Sequence, residues 1–368
     1  MKKTLVALAA LATVGAAFAQ STVTLYGKID FEVVSKRANA AGAASVNPGL
    51  QVNSAGLSGS RWGMKGSEDL GGGLSAIFDL QGGFTVDNGG TAQCGGGSVV
   101  NAAACGLAGP NGTNPASRIF GRQAYAGLKG GFGQVSAGRQ YGPYDNAFGV
   151  LDAQGYTSNS AMGAVWNGYA APGQTAVAHA DGSAGGTGRI DNQLTYFTPA
   201  LGGFNAQVSW APGENKTPVL RASSIASVGL GYGNGPINVQ YAFESQRPQV
   251  GPSMTGWILG GSYDLGVARP YIAYGRGDFG TKEDRKWSLG VSAPVGPVTL
   301  SAGYAKTSTT AAPGAASSDT HGFGGQAVYA LSKRTNVYTE FLSASTRAAG
   351  AAVRGKASQF GVGMRHDF

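Results

Sequence analysis

Three observations predict an all-β chain that crosses a membrane as a sixteen-stranded antiparallel β-barrel with short periplasmic turns and long outer loops. The first is a period-two alternation of apolar and polar side chains that recurs down the 368 residues. In Ser358–Phe368, for instance, Phe360, Val362, Met364, His366 and Phe368 share one face, while Gly361, Gly363, Arg365 and Asp367 share the other. The second is that beyond Ala19 no run approaches the roughly 18 to 20 consecutive apolar residues of a spanning helix. The third is composition: 63 glycines and only 12% charged residues, with Gly well over twice its usual share of roughly 7%. So many one-sided strands are too many for a soluble core. In a barrel, lipid takes the apolar face and water the polar one.

The chain opens with a basic Met1-Lys2-Lys3, an apolar stretch from Leu5 to Phe18, and the small-residue site Ala17-Phe18-Ala19. This three-part pattern predicts a cleaved signal peptide over 1–19 and a single barrel domain over 20–368. Cleavage removes two lysines, so the formal charge falls from +8 to +6. No Pro-rich or polar linker divides the remainder.

Thr22 to Lys36 gives the clearest strand. Val23, Leu25, Ile29, Phe31 and Val33 face one way, and Thr24, Tyr26, Lys28, Asp30 and Glu32 the other. Helical spacing would scatter those charges around a cylinder, so period two wins. A second strand is expected from about Gln51 to Gly66, turning at 68–72 into a third, Leu74 to Val86. A fourth spans Arg118 to Gly130 and turns at Gly131-Phe132-Gly133 into a fifth that ends near Tyr141. Eleven more follow: Arg189–Pro199, Gly203–Trp210, Ser223–Tyr232, Pro236–Ser245, Thr255–Leu265, Ala268–Gly277, Arg285–Val295, Pro297–Lys306, Gly322–Leu331, Thr335–Ala344 and Ala357–Phe368. Short turns such as Asn234-Gly235 and Gly296 take turns with long polar loops, the asymmetry of an outer-membrane barrel.

One connection is exceptional. Residues 142–188 are rich in Gly, Ala, Ser and Asn, yet carry Tyr144, Phe148, Tyr156, Trp166 and Tyr169. Structureless loops beyond about 15 residues are usually functional or disordered. The aromatics predict that this one packs, and a wide barrel offers an aqueous lumen to enter and narrow. Cys94 and Cys105 lie in the Gly/Ala/Asn-rich stretch 87–115 with no His nearby in sequence, so a disulfide is expected in an exported chain and no metal centre.

Several stretches resemble the trimeric general porins of beta-proteobacterial outer membranes. These are Ser60-Arg61-Trp62-Gly63-Met64-Lys65-Gly66-Ser67-Glu68-Asp69-Leu70-Gly71-Gly72-Gly73-Leu74, Phe120-Gly121-Arg122-Gln123-Ala124-Tyr125-Ala126-Gly127-Leu128 and Gly133-Gln134-Val135-Ser136-Ala137-Gly138-Arg139-Gln140. Asn192-Gln193-Leu194-Thr195-Tyr196-Phe197-Thr198-Pro199 and the ending Arg365-His366-Asp367-Phe368 add to them. The resemblance runs from Gln20 to the end. It implies a homotrimer, a third loop folded inward as a constriction, and a terminal Phe368 that the barrel-assembly machinery reads. It also implies a place in the cell outer membrane, among lipid and lipopolysaccharide, and passive passage of small hydrophilic solutes.

Such a channel performs no chemistry, so its site is a field at a narrow place, with Arg and Lys favouring anions. Parity puts Arg61 with Lys65, opposite Trp62 and Met64, and Arg122 opposite Ile119 and Tyr125, so both face the lumen. Arg189 shares a face with Asp191, Gln193 and Thr195. The resemblance places an arginine cluster on the pore wall, and Arg61 and Arg122 fall on its motif positions. Lys28 also faces in, its field blunted by Asp30 and Glu32. Arg139 falls by parity with Val135 and Ala137, on the lipid or subunit side, unless a bulge re-aims it. From the long loop, Asp145 and Asp152 would oppose the arginines. Net +6 and few loop acids favour mild anion selectivity.

A solute-specific channel is the main alternative. An outer-membrane enzyme would need a nucleophile–base pair, but His179, His321 and His366 follow no G-x-S-x-G. An adhesin or secreted β-sandwich would need a second covering sheet and no terminal Phe. Nucleic-acid binding lacks a basic stripe or a recognised motif, and no cofactor-binding motif is present.

Overall fold

The computed structural model describes residues 22–39, 47, 49–54, 56–91, 119–157, 159–166, 188–214, 216–280, 282–311 and 317–368. The segment 1–19 expected to be a signal peptide, Cys94, Cys105, Tyr169 and His179 lie outside the described residues.

The alternation becomes one antiparallel sheet. Its strands are β1 (Thr22–Asn39), β2 (Leu50–Ser54), β3 (Arg61–Gly71), β4 (Leu74–Gly83), β5 (Gln123–Gly130), β6 (Gly133–Tyr141), β7 (Arg189–Phe197), β8 (Phe204–Pro212) and β9 (Ser224–Asn234). It continues through β10 (Ile237–Arg247), β11 (Met254–Tyr263), β12 (Arg269–Asp278), β13 (Glu283–Val295), β14 (Val298–Thr310), β15 (Ser317–Ala330), β16 (Thr335–Arg347) and β17 (Gly355–Asp367). From β3 onward each strand pairs with its sequence neighbour, and β17 returns to β1 from Lys28↔Asp367 to Asn39↔Lys356. The opposite edge of β1 pairs with β3 through Thr22–Lys28 and with β2 through Phe31–Ser35. These two share one place in the wall, so the barrel closes with sixteen.

The division of β2 from β3 corrects the single strand expected over Gln51–Gly66. Its cause is the inward carboxylate of Asp30, which accepts the backbone N–H of Gly56 (3.1 Å) and Ser58 (2.8 Å) and draws residues 56–60 off the ladder. The Oγ of Ser60 donates to the Asp30 carbonyl at 2.9 Å, and the Tyr338 hydroxyl donates to the same carboxylate at 2.6 Å. Several boundaries also differ from expectation: β14 runs on to Thr310 and β15 starts at Ser317, for example. β3 runs on to Gly71, turning at Gly72-Gly73, and β5 begins at Gln123 rather than Arg118.

The expected faces are visible in β1, where Val23 and Leu25 are 64% and 65% exposed and Asp30 and Glu32 are buried inward. A polar lumen would leave the inner wall unsupported as a core. The chain builds one there from its long loop. Helix α1 (Pro143–Leu151) starts at a proline, whose missing N–H costs a helix nothing at its first turn. A shorter helix, α2 (Ala161–Trp166), follows. The aromatics of the loop predict its packing but neither helix. Phe148, Leu151, Met162, Val165 and Trp166 form a buried cluster with inward Ala242, Ile258, Ala273, Ala305 and Leu342 of the wall.

Glycine lets this contact be close. A Cβ on Gly260 would meet Leu151 at 2.8 Å, one on Gly275 would meet the Trp166 ring at 3.3 Å, and one on Gly322 would meet Val165 at 3.1 Å. Polar ties fix the fit. Lys286 Nζ donates to the Trp166 carbonyl (3.0 Å), Thr307 Oγ1 to the Val165 carbonyl (3.2 Å), and Asn146 Nδ2 to Gln207 Oε1 (2.8 Å). The loop thus lies along the walls of β8 to β12 and β14 to β16, leaving the wall of β3 to β7 facing it across the lumen.

Candidate pore constriction

On that facing wall, polar side chains are linked from strand to strand. The Tyr26 hydroxyl donates to Asp79 (2.5 Å), Gln81 Nε2 donates to the Tyr26 oxygen (2.9 Å), and Arg122 Nε donates to Gln81 Oε1 (2.8 Å). Arg122 sits just ahead of β5, its backbone N–H bonded to the Gln81 carbonyl. Its Nη2 donates to the Tyr141 hydroxyl at 3.1 Å, and the Nη2 of Arg189 donates to the same oxygen. The Arg189 guanidinium also lies 4.5 Å from the centroid of the Tyr141 ring, a cation–π arrangement.

Arg61 joins them through the segment that Asp30 holds. Its Nη1 donates to Ser58 Oγ (3.1 Å) and the Gly59 carbonyl (3.3 Å), and a Cβ on Gly59 would meet Arg122 Nη1 at 2.8 Å. Three guanidiniums therefore converge around residues 58–59 and Tyr141, close enough to repel one another. None is ion-paired to a carboxylate among the described residues. Arg122 and Arg189 are under a tenth exposed. Their hydrogen bonds go to neutral oxygens, so the positive charge is positioned without being cancelled.

The remaining sequence candidates fall in different places. Lys28 pairs in register with Arg61 and is ion-paired to Asp367 at 3.6 Å. Its field is therefore tempered by Asp367, and Asp30 is instead spent on residues 56–60. Arg139 is a structural residue here. The pairing of β6 with β7 slips between Gly138 and Gln140, with Asn192 at φ 56°. Arg139 donates to the Gly121 carbonyl (2.7 Å), the Arg189 carbonyl (3.3 Å) and Asp191 (2.7 Å). The same slip breaks the parity expected from Arg189 to Thr195. Ile190 faces in against Ala211 and Ile225, while Asp191 turns to Arg139.

In the loop, Asp145 lies in the first turn of α1, near Arg122, and accepts the Tyr156 hydroxyl at 2.8 Å. Asp152 ends that helix and accepts the backbone N–H of Gln154 (3.0 Å) and Tyr156 (3.1 Å). It shapes the loop, whereas Asp145 packs against Gly188, next to Arg189, and acts electrostatically on Arg122. Burial pushes the Asp152 carboxyl above its usual range, against the pull of those amides. Sequence reasoning missed Tyr141 and Gln81, which the alternation marks only as ordinary strand residues.

A closed barrel with a polar lumen, narrowed from within by its own loop, defines the class: a passive diffusion channel. The chain belongs to the Gram-negative porin family, whose model matches residues 4–349. It is 33% identical to Outer membrane porin protein 32 of Delftia acidovorans, each chain covered in full. It is 31% identical to an outer membrane porin protein of Bordetella pertussis over 80% of this chain and 74% of that one. Among solved structures it is similar to an anion-selective porin from Comamonas acidovorans, with TM-score 0.73 and 27% identity, covering 95% of this chain and 100% of that one. The protein is an outer-membrane porin that conducts ions and small hydrophilic solutes passively.

Proposed function

We propose that this porin prefers anions and that Arg61, Arg122 and Arg189 set the preference, with Asp145 as the nearby loop carboxylate that tempers them. The observation that carries the reading is the convergence of three guanidiniums on neutral partners around Tyr141. Cationic side chains at a narrow place raise the local anion concentration and exclude cations. Asp145, the one loop carboxylate placed near them among the described residues, leaves the three arginines a net positive charge. The solved porin it is similar to is described as anion-selective, which supports the same sign.

The working assembly we infer is a homotrimer exported by a cleaved 1–19 segment, with a Cys94–Cys105 disulfide in an outer loop. The test is a planar bilayer with a salt gradient across it. Conductance in steps of three with an anion-favouring reversal potential is the expected result. A cation-favouring potential would leave the porin standing and remove the arginine assignment.

A further inference from the structure

Where the constriction loop meets the wall of β1 and β15 to β17, two glutamates are buried together on the lumenal side. Glu32 of β1 is 3% exposed and Glu340 of β16 is 2% exposed. Their strands do not pair with each other. β17 runs between them and sets Gly361 beside Glu340 in register. Glycine at that position makes the meeting possible. A Cβ on Gly361 would stand 2.5 Å from Glu32 Oε2 and 3.7 Å from Glu340 Cγ. The two side chains therefore lean over Gly361 from either side, close enough to act on each other.

The pair is short of donors. Asn159 Nδ2, just ahead of α2, donates to Glu32 Oε2 at 3.4 Å. Neither oxygen of Glu340 has a hydrogen-bond partner among the described residues. The same is true of the buried Oε1 of Gln326, which pairs with Glu340 directly across the β15–β16 ladder. The other end of that amide is fixed, because Gln326 Nε2 donates to the loop carbonyl of Gln154 at 3.3 Å. Lys36 acts on both glutamates at a distance and donates to neither oxygen of Glu340.

We propose that Glu32, Glu340 and Gln326 Oε1 hold a calcium ion between the constriction loop and the barrel wall. A proton shared by the two carboxylates would satisfy one oxygen of each. It would leave the second oxygen of Glu340 and Gln326 Oε1 as buried acceptors with no donor. A divalent cation takes all of them, and the two carboxylates cancel its charge. Calcium accepts carboxylate and amide oxygens in flexible geometry, whereas magnesium demands a near-ideal octahedron and keeps several waters. The ion ties β1, β15 and β16 together where Asn159 and Gln154 of the loop touch them. It also removes two negative charges from the lumenal wall of a pore whose constriction is positive.

The test uses the full barrel folded in detergent, stripped with EGTA and dialysed to equilibrium against radioactive calcium alone. The wild type is expected to bind one ion per chain. The E32Q/E340Q double variant, which keeps the side-chain shapes, should bind about tenfold more weakly or not at all, because the charge that holds a hard cation is gone. Unchanged single-channel conductance would show that the variant is folded. In the wild type, EGTA should speed protease cleavage within 142–188 about threefold, and in the variant it should change nothing. The wild-type comparison with and without EGTA decides even if the variant does not fold. No calcium bound by the wild type overturns the proposal and leaves the pair to a shared proton. Equal binding by wild type and variant overturns it by putting the ion elsewhere. Calcium binding that leaves wild-type cleavage unchanged overturns it too, since an ion at this place braces the loop.

Discussion

A phenol oxygen at Tyr141 receives both Arg122 and Arg189, so two like charges are held at one point without a carboxylate between them. The cluster is built on hydrogen bonds to neutral acceptors, which position a cation while leaving its field intact. Replacing Arg122 by Gln removes one charge from the group. At about 7 Å in a water-like medium a unit charge stabilises an anion by roughly 0.6 kcal/mol and destabilises a cation by as much, so anion-over-cation permeability should fall roughly sevenfold, read as a smaller reversal potential. Asp30 is a positioning residue for the same cluster, through residues 56–60 and Arg61. Asp30→Ala should reduce the anion preference although no arginine is touched. A reversal potential equal to wild type would show that Arg61 is held independently.

At the scale of elements, the long loop is a small hydrophobic core placed inside a barrel. Trp166 anchors it, buried against Gly275 and donating its ring N–H to the Trp287 carbonyl at 3.3 Å. Trp166→Ala should cost about 3–5 kcal/mol of local loop stability, the range of large-to-small changes in packed cores. The checks are faster protease cleavage within 142–188 and a noisier, larger conductance. Asp152→Ala removes the acceptor of two backbone amides and should cost about 1–3 kcal/mol by leaving them unsatisfied, with the same readouts and smaller effects. The loop's packing was legible from its aromatics, because large apolar rings in a Gly-rich segment need a surface. Its helices were not legible. The α1 segment is nine residues long and α2 six, too short for periodicity to separate from coil, and both are stabilised by the wall they meet.

For the whole molecule, closure falls on the last residue. Phe368 N–H donates to the Gly27 carbonyl and Gly27 N–H to the Phe368 carbonyl, both at 3.0 Å, with the Phe368 ring lying where a Gly27 Cβ would stand. Gly27→Val should therefore weaken the seam, giving a barrel that loses its compact electrophoretic migration at a lower temperature. Deleting Phe368 should weaken the same seam in detergent refolding. A larger loss in cells than in detergent would point to recognition by the assembly machinery, and equal losses would point to closure alone. Alkylation of the denatured, unreduced protein tests the disulfide: no thiol should react until a reductant is added.

The sequence by itself determined the class of fold, the strand count, the alternation of turns and loops, and the presence of an internal loop. Those depend on a period of two and on where glycine and polar residues interrupt it, both local properties of the chain. It also put Arg61 on the lumenal side, whereas the parity that placed Arg122 there fails: Tyr125 stands beside the inward Asp79, and Arg122 reaches the lumen because it precedes the first residue of β5. Only the tertiary structure decided which charges stand free. Asp30 and Asp152 are consumed by backbone amides, Arg139 is consumed by Asp191, and a register slip between Gly138 and Gln140 turns Ile190 inward and Asp191 away from the face it was read to share with Arg189. A charge's partner is set by which strands meet at which height in a closed sheet. That depends on register across the whole barrel and cannot be read from one strand.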